Sequence, residues 1–269
     1  MSGRPRRSGP ESRTTLFATV LACALPAIGL TAQAVQTPRL ADGRPDLNGT
    51  WENGGGIDFV KPTKADNGSI CVRDCGVPPA PRLPQDRPKY KPQFEAKVKE
   101  LSAKQVELDP GLRCGPPGIP RIGPPDKIVQ TSREIIFLYE DITGPAFRVV
   151  TMNGKHDPDE IEENAFGHSI GRWDGDTLVV DTIGFSADTW LGDNGLFHTT
   201  KLHVVERLKR VANALEFDVT VEDPEILAEP WKLRQRTLEY SAAELPPPVP
   251  CHEQDLSQVV DGTHHDNLR

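Results

Sequence analysis

Four of the seven histidines, His156, His168, His198 and His203, fall in or beside stretches of strand composition, and one of them has a carboxylate placed to meet it. Residues 167–185 read GHSIGRWDGDTLVVDTIGF, two β-forming runs around Asp174-Gly175. Asp-Gly supplies the positive φ values of a two-residue type I′ turn. With these two as the loop, Trp173 faces Asp176, Arg172 faces Thr177, Ile170 faces Val179 and His168 faces Asp181, with opposed Cβ atoms about 4.5–5.5 Å apart. An imidazole beside a carboxylate has a fixed tautomer and a raised pKa, which suits acid–base work near neutral pH. Arg172 shares that face and would steady an anion. A bulge at Gly175 would shift the pairing by one and separate the dyad. The same two residues would also serve as a solvated pair on the outside of a sheet.

Other chemistries draw on the same histidines. A metal site from His156, His168 and His198 with a carboxylate requires all three within about 2.0–2.1 Å of one ion, and no HxH or HxxxH spacing supports it, so no metal ligand or cofactor is assigned. After Phe197, period-two alternation puts His198, Thr200, Leu202, Val204 and Glu206 on one face and His203, Val205 and Arg207 on the other. His156, His198 and Trp190 sit at loop ends, where residues of a binding mouth are expected. The chain has no GxSxG elbow, P-loop, GxGxxG or zincin helix. Three functions stay open: a barrel binding a small, mainly apolar molecule, anchored by Arg172 and His168; a small isomerase-, dehydratase- or cyclase-type enzyme using His168 and Asp181 in the barrel cavity; and a histidine metal site. Whether the protein is an enzyme is undecided at this level.

The elements that must position these groups are strands. KIVQT (127–131), EIIFLYE (134–140), FRVVTM (147–152), the 167–185 hairpin, 199–209, 215–222 and 231–240 are β-branched or aromatic and separated by polar turns. With Gly49–Glu52 they predict a mainly β fold, an antiparallel up-and-down, lipocalin-like barrel of about eight to nine strands. Residues 35–126 form a Pro/Gly-rich arm carrying the first strand and one helix over 92–105, where Phe94, Val98 and Leu101 make an apolar stripe. The barrel domain spans 127–240, and 241–269 is a Pro-rich linker with a polar tail. Gly49-Thr50-Trp51 resembles the GxW motif of lipocalin-type barrels; a buried Trp closing one end of any β-barrel reads the same way.

Compartment is written at the N-terminus. Arg4, Arg6, Arg7 and Arg13 precede an apolar run from Leu16 to Leu30, and Ala32-Gln33-Ala34 completes a secretory signal peptide cleaved after Ala34. Lipoprotein processing at Cys23 is the weaker alternative. Residues 1–34 carry a formal +3, so the mature chain has −11 instead of −8. That acidity disfavours nucleic acid and anionic membranes as partners, and no transmembrane anchor remains; a small-molecule ligand or substrate is the expected partner. Cys71, Cys75, Cys114 and Cys251, an even number in an exported protein, read as two disulfides of open connectivity, with a zinc site as the rival.

From Leu112 to Trp231 the chain resembles a family of secreted bacterial proteins of unassigned function. The likeness rests on Cys114 to Arg121, Ile128 to Thr131, Gly167 to Thr182, His198-Thr199, Glu206-Arg207 and Asp223-Pro224. The chain departs from that pattern at Asp174, usually Glu, and in the 153–166 loop, where His156 comes one place early before Asp157-Pro158. The resemblance implies export and a shared hairpin, and it implies no reaction. The precursor expressed in a bacterium with its leader intact should yield a periplasmic or secreted protein beginning at Val35, which N-terminal sequencing checks.

Overall fold

The computed structural model describes residues 36–52, 63–64, 70–71, 87–141 and 146–245. Its strands are β1 (Gly49–Glu52), β2 (Thr63–Lys64), β3 (Ile70–Cys71), β4 (Lys127–Gln130), β5 (Glu134–Tyr139), β6 (Ala146–Met152), β7 (His168–Asp174), β8 (Thr177–Ile183), β9 (Trp190–Gly192), β10 (Leu196–Phe197), β11 (His203–Val211), β12 (Ala214–Glu222), β13 (Trp231–Lys232) and β14 (Arg236–Ser241). Helix α1 (Glu95–Ala103) is followed by one further turn, α2 (Gln105–Leu108). The signal peptide, Cys75, Cys251 and the 246–269 tail lie outside the described residues.

Nine strands close into a barrel in chain order, β1-β4-β5-β6-β7-β8-β11-β12-β14 and back to β1, with β13 paired onto β12. The expected fold class is present, with one correction: the barrel is mixed, because β6 and β7 run parallel. Strand directions that alternate around a ring of nine cannot close without a parallel seam. The seam falls at β6–β7 because residues 153–167 form a crossover of the dozen or more residues that parallel neighbours need, whereas the other consecutive strands from β4 to β8 are joined by shorter connections.

Alternation fills the interior. Ile135, Phe137 and Tyr139 from β5, Val150 from β6, Leu178 and Val180 from β8, Val204 and Leu208 from β11, and Leu215 and Phe217 from β12 are all buried. One end is closed by Trp51, whose Nε1 donates to the Leu47 carbonyl at 3.0 Å. The Arg210 guanidinium lies 5.1 Å from the Trp51 ring and donates to the carbonyls of Ala212 and Asp46. α1 follows the predicted stripe, with Val98 buried and Phe94 and Leu101 packed on the core. Two strand limits differ from expectation. β11 starts at His203, because the Asp223 carboxylate accepts from Thr199 N at 2.7 Å and holds 199–201 in a turn. The expected 231–240 strand is broken into β13 and β14.

The hairpin turn is also corrected. Asp174 pairs with Thr177, leaving Gly175-Asp176 as the loop. Positive φ occurs at Gly175 (+59°) and not at Asp176, the type II′ pattern with Gly first. The register is therefore two residues from expectation: His168 faces Ile183 and Asp181 faces Ile170. An even slip leaves every side chain on its expected face. Arg39 grips Asp176 at 2.6 Å and Arg207 grips Asp174 at 2.9 Å, holding both carboxyls below their usual range.

Two opposite charges sit at the barrel's centre. Arg148 Nη2 donates to both Glu206 oxygens at 2.8 and 2.7 Å, Nε donates to the Tyr139 hydroxyl at 3.0 Å, and Nη1 donates to Ser169 Oγ at 3.2 Å. Ser169 in turn contacts Thr182 Oγ1 at 3.0 Å. Burial alone would lower the guanidinium's pKa, but Glu206 and Tyr139 together outweigh it and hold Arg148 above its ordinary value. Removing one member leaves an uncompensated buried charge, a cost of about 3–5 kcal/mol, whereas replacing both with apolar groups is often neutral. Arg148→Met should thus destabilise by about that amount and Arg148→Met/Glu206→Met by less, read from urea unfolding at pH 7.

Candidate functional site

His168 opens β7, Asp181 lies near the end of β8, His203 opens β11 and Glu222 ends β12, so all four approach one rim, opposite the Trp51 end. All four belong to the outward parity: their neighbours Ser169, Thr182, Val204 and Val221 are the buried ones. The His168–Asp181 pair thus lies on the outer wall, not in a cavity, and the reason is the alternation itself, since β7 and β8 turn Ser169, Leu178, Val180 and Thr182 inward.

The two residues are joined through a third. The crossover lays His156 over β7 and β8, with Nδ1 2.9 Å from His168 Nδ1 and Nε2 3.0 Å from Asp181 Oδ1. The other Asp181 oxygen meets His203 Nε2 at 3.0 Å, and His203 Nδ1 meets Glu222 Oε2 at 3.3 Å. His203 and Glu222 are direct cross-strand partners, and Val205 opposite Asp181 puts His203 on its diagonal. The crossover is seated by Ile161, which packs where a Cβ on Gly184 (φ +76°) would stand, 2.3 Å from Ile161 Cγ2, and by Asn164 N donating to the Gly184 carbonyl at 3.1 Å.

Counting protons along the chain assigns the tautomers. Facing a carboxylate, His156 Nε2 carries hydrogen; its Nδ1 in the neutral ring then accepts from His168 Nδ1–H. His168 is left with a bare Nε2 at the end of a His168–His156–Asp181 relay. Both His203 nitrogens face carboxylate oxygens. The direction at His168 departs from expectation: burial first, then His156, holds its pKa below the usual imidazole value. Burial therefore sets the direction, and because the nearest partner is an imidazole and not the carboxylate, nothing there raises it.

Other candidates lie elsewhere. Arg172 is exposed on the same outer face. His198 is buried, 2.7 Å from Thr189 Oγ1 and with Nδ1 donating to the Thr199 carbonyl at 2.9 Å, and burial lowers its pKa. Trp190 is buried in β9. These two belong to a packed segment and do not line a mouth, because Leu191, Leu196 and Phe197 draw the loop into the core. The metal trio of His156, His168 and His198 is accordingly not assembled, and among the described residues no three His, Cys, Asp or Glu side chains are grouped to hold an ion. His203 and Glu222 were missed as site residues; parity placed His203 on the right face, but only the β8–β11 register brings it to Asp181.

Among the described residues no helix is long and apolar enough to cross a membrane. Comparison with protein-family models, curated proteins and solved structures finds no match. The lowered values at His168 and His198 mean that unfolding takes up protons as these groups return to about 6.5. Their contribution to stability is complete above that pH and is lost as pH falls below it. The His168 NMR titration midpoint should lie below about 6.5 and rise in His156→Ala.

Proposed function

We propose that this is an exported β-barrel protein that performs acid–base chemistry on a small molecule at the outer rim, with His168 Nε2 as the proton-accepting atom. The observation that carries this reading is the unbroken hydrogen-bonded line from His168 through His156 to Asp181. His156 passes on the orienting effect of the carboxylate while keeping His168 neutral, so the base is available near neutral pH without a metal or organic cofactor being invoked. His203 holds the far Asp181 oxygen and is itself held by Glu222. Proton transfer by a placed imidazole is worth about 10²–10⁴-fold, the scale an isomerase, dehydratase or cyclase uses.

Export is part of the proposal: cleavage after Ala34, periplasmic or secreted residence, and pairing of Cys71, Cys75, Cys114 and Cys251 in two disulfides. The even count of four cysteines after residue 34 supports pairing. So does the resemblance to secreted proteins, whose segments Gly167 to Thr182 and Glu206-Arg207 contribute to the histidine chain and the buried ion pair. A second reading, ligand binding without chemistry, is favoured by an open cleft of about 1490 Å³ outside the barrel wall; the interior is occupied by core side chains and the Arg148–Glu206 pair.

Diethyl pyrocarbonate, which acylates unprotonated imidazole nitrogen, tests the acid–base reading. At pH 7 His168 should react faster than free imidazole, at Nε2, and Asp181→Asn should slow it several-fold with the fold retained. A His168 rate no greater than free imidazole, unchanged by Asp181→Asn, overturns the proposal.

A further inference from the structure

The cleft lies between α1, the 192–196 segment and β13. Its volume exceeds the roughly 300–1,000 Å³ of ordinary small-molecule sites, so a ligand there keeps one side open to solvent. Val98, Leu196 and Trp231, each largely buried, contribute its apolar lining. Charges are unevenly matched. The three lining carboxylates are each taken by a cation: Glu95 by Arg87 at 2.9 Å, Glu229 by Lys89 at 3.7 Å, and Asp193 by Arg121 at 2.9 Å. Two lining cations, Lys99 and Lys232, have no carboxylate partner among the described residues. They come from different elements, α1 and β13.

On a chain whose formal charge is −8, an apolar surface with two ammonium groups that no described carboxylate pairs is a local reversal of sign, and such a spot selects anions against the protein's overall field. We infer that this cleft binds a small organic anion with an apolar body, its carboxylate or sulfonate between Lys99 and Lys232 and its hydrocarbon part against Val98, Leu196 and Trp231. Long lysine stems lie along apolar surface while their heads stay in water, so the same two side chains serve both halves of such a ligand. This inference rests on the cleft reading and is independent of the histidine chain.

The test uses the mature chain with 4-phenylbutanoate as the anionic probe and 4-phenylbutan-1-ol as its neutral counterpart, followed by calorimetry and tryptophan fluorescence. The carboxylate should bind saturably and at least tenfold more tightly than the alcohol, with a fluorescence change lost in Trp231→Phe. Lys99→Glu/Lys232→Glu, both solvent-exposed positions, should weaken the carboxylate at least tenfold without shifting the urea midpoint; Lys99→Gln/Lys232→Gln should give a smaller loss in the same direction. Equal affinity for the alcohol, or no effect of the lysine substitutions, overturns the anion class while leaving a binding cleft. Saturation by neither probe overturns the inference together with the cleft reading.

Discussion

The Arg148–Glu206 pair is the constraint around which the barrel is arranged. Two ions removed from water stay folded only if their partners arrive together, and here those partners come from five strands: Arg148 from β6, Tyr139 from β5, Ser169 from β7, Thr182 from β8 and Glu206 from β11. The parallel β6–β7 seam is short, with three paired positions. Arg148 reaches across that seam to Ser169 and beyond it to Glu206, so the interior charges brace a part of the wall that has few ladder pairs. A slip of one residue in β6 or β11 would turn one of the ions outward and strand the other, a far larger penalty than any surface contact could offset.

Parity of strand number leads from this core to the outer site. Nine strands demand one parallel seam, a parallel seam demands a long connection, and that connection delivers His156 to the face where His168, Asp181 and His203 already stand. An even-numbered meander would have joined β6 to β7 through a tight turn and left no residue between His168 and Asp181. The site is thus a by-product of closure: strands supply four of its groups at fixed spacing, and the loop supplies the one that connects them.

Much of this was legible in the sequence, and the exceptions have physical causes. Strands with clean alternation are where they were expected, EIIFLYE among them, and the segment from Leu202 to Arg207 also splits between its two faces as its parity indicated. FRVVTM was harder to orient, because Phe147 and Val149 give the outward parity as apolar a look as Val150 and Met152 give the inward one; Phe147 is 65 % exposed while Arg148 is buried. The hairpin was placed correctly but its turn was not, since Gly175 serves equally as the second residue of a type I′ turn or the first of a type II′. His198 and Trp190 were expected at an exposed mouth because they lie outside long strands. The aliphatic and aromatic residues around them instead make that connection part of the core. His203 joins the site through a register between non-adjacent segments, which a single sequence does not encode locally.

The barrel closes between its first and last strands: Trp51 pairs with Tyr240, and Ser241 Oγ meets a Glu52 carboxylate oxygen 189 residues away in sequence. Until residues 236–241 are available, β1 and β12 each present an open edge, and no nascent or truncated chain can complete the ring. Contacts of such long separation are the slow ones to form. The last step of folding therefore waits on the C-terminal part of the chain.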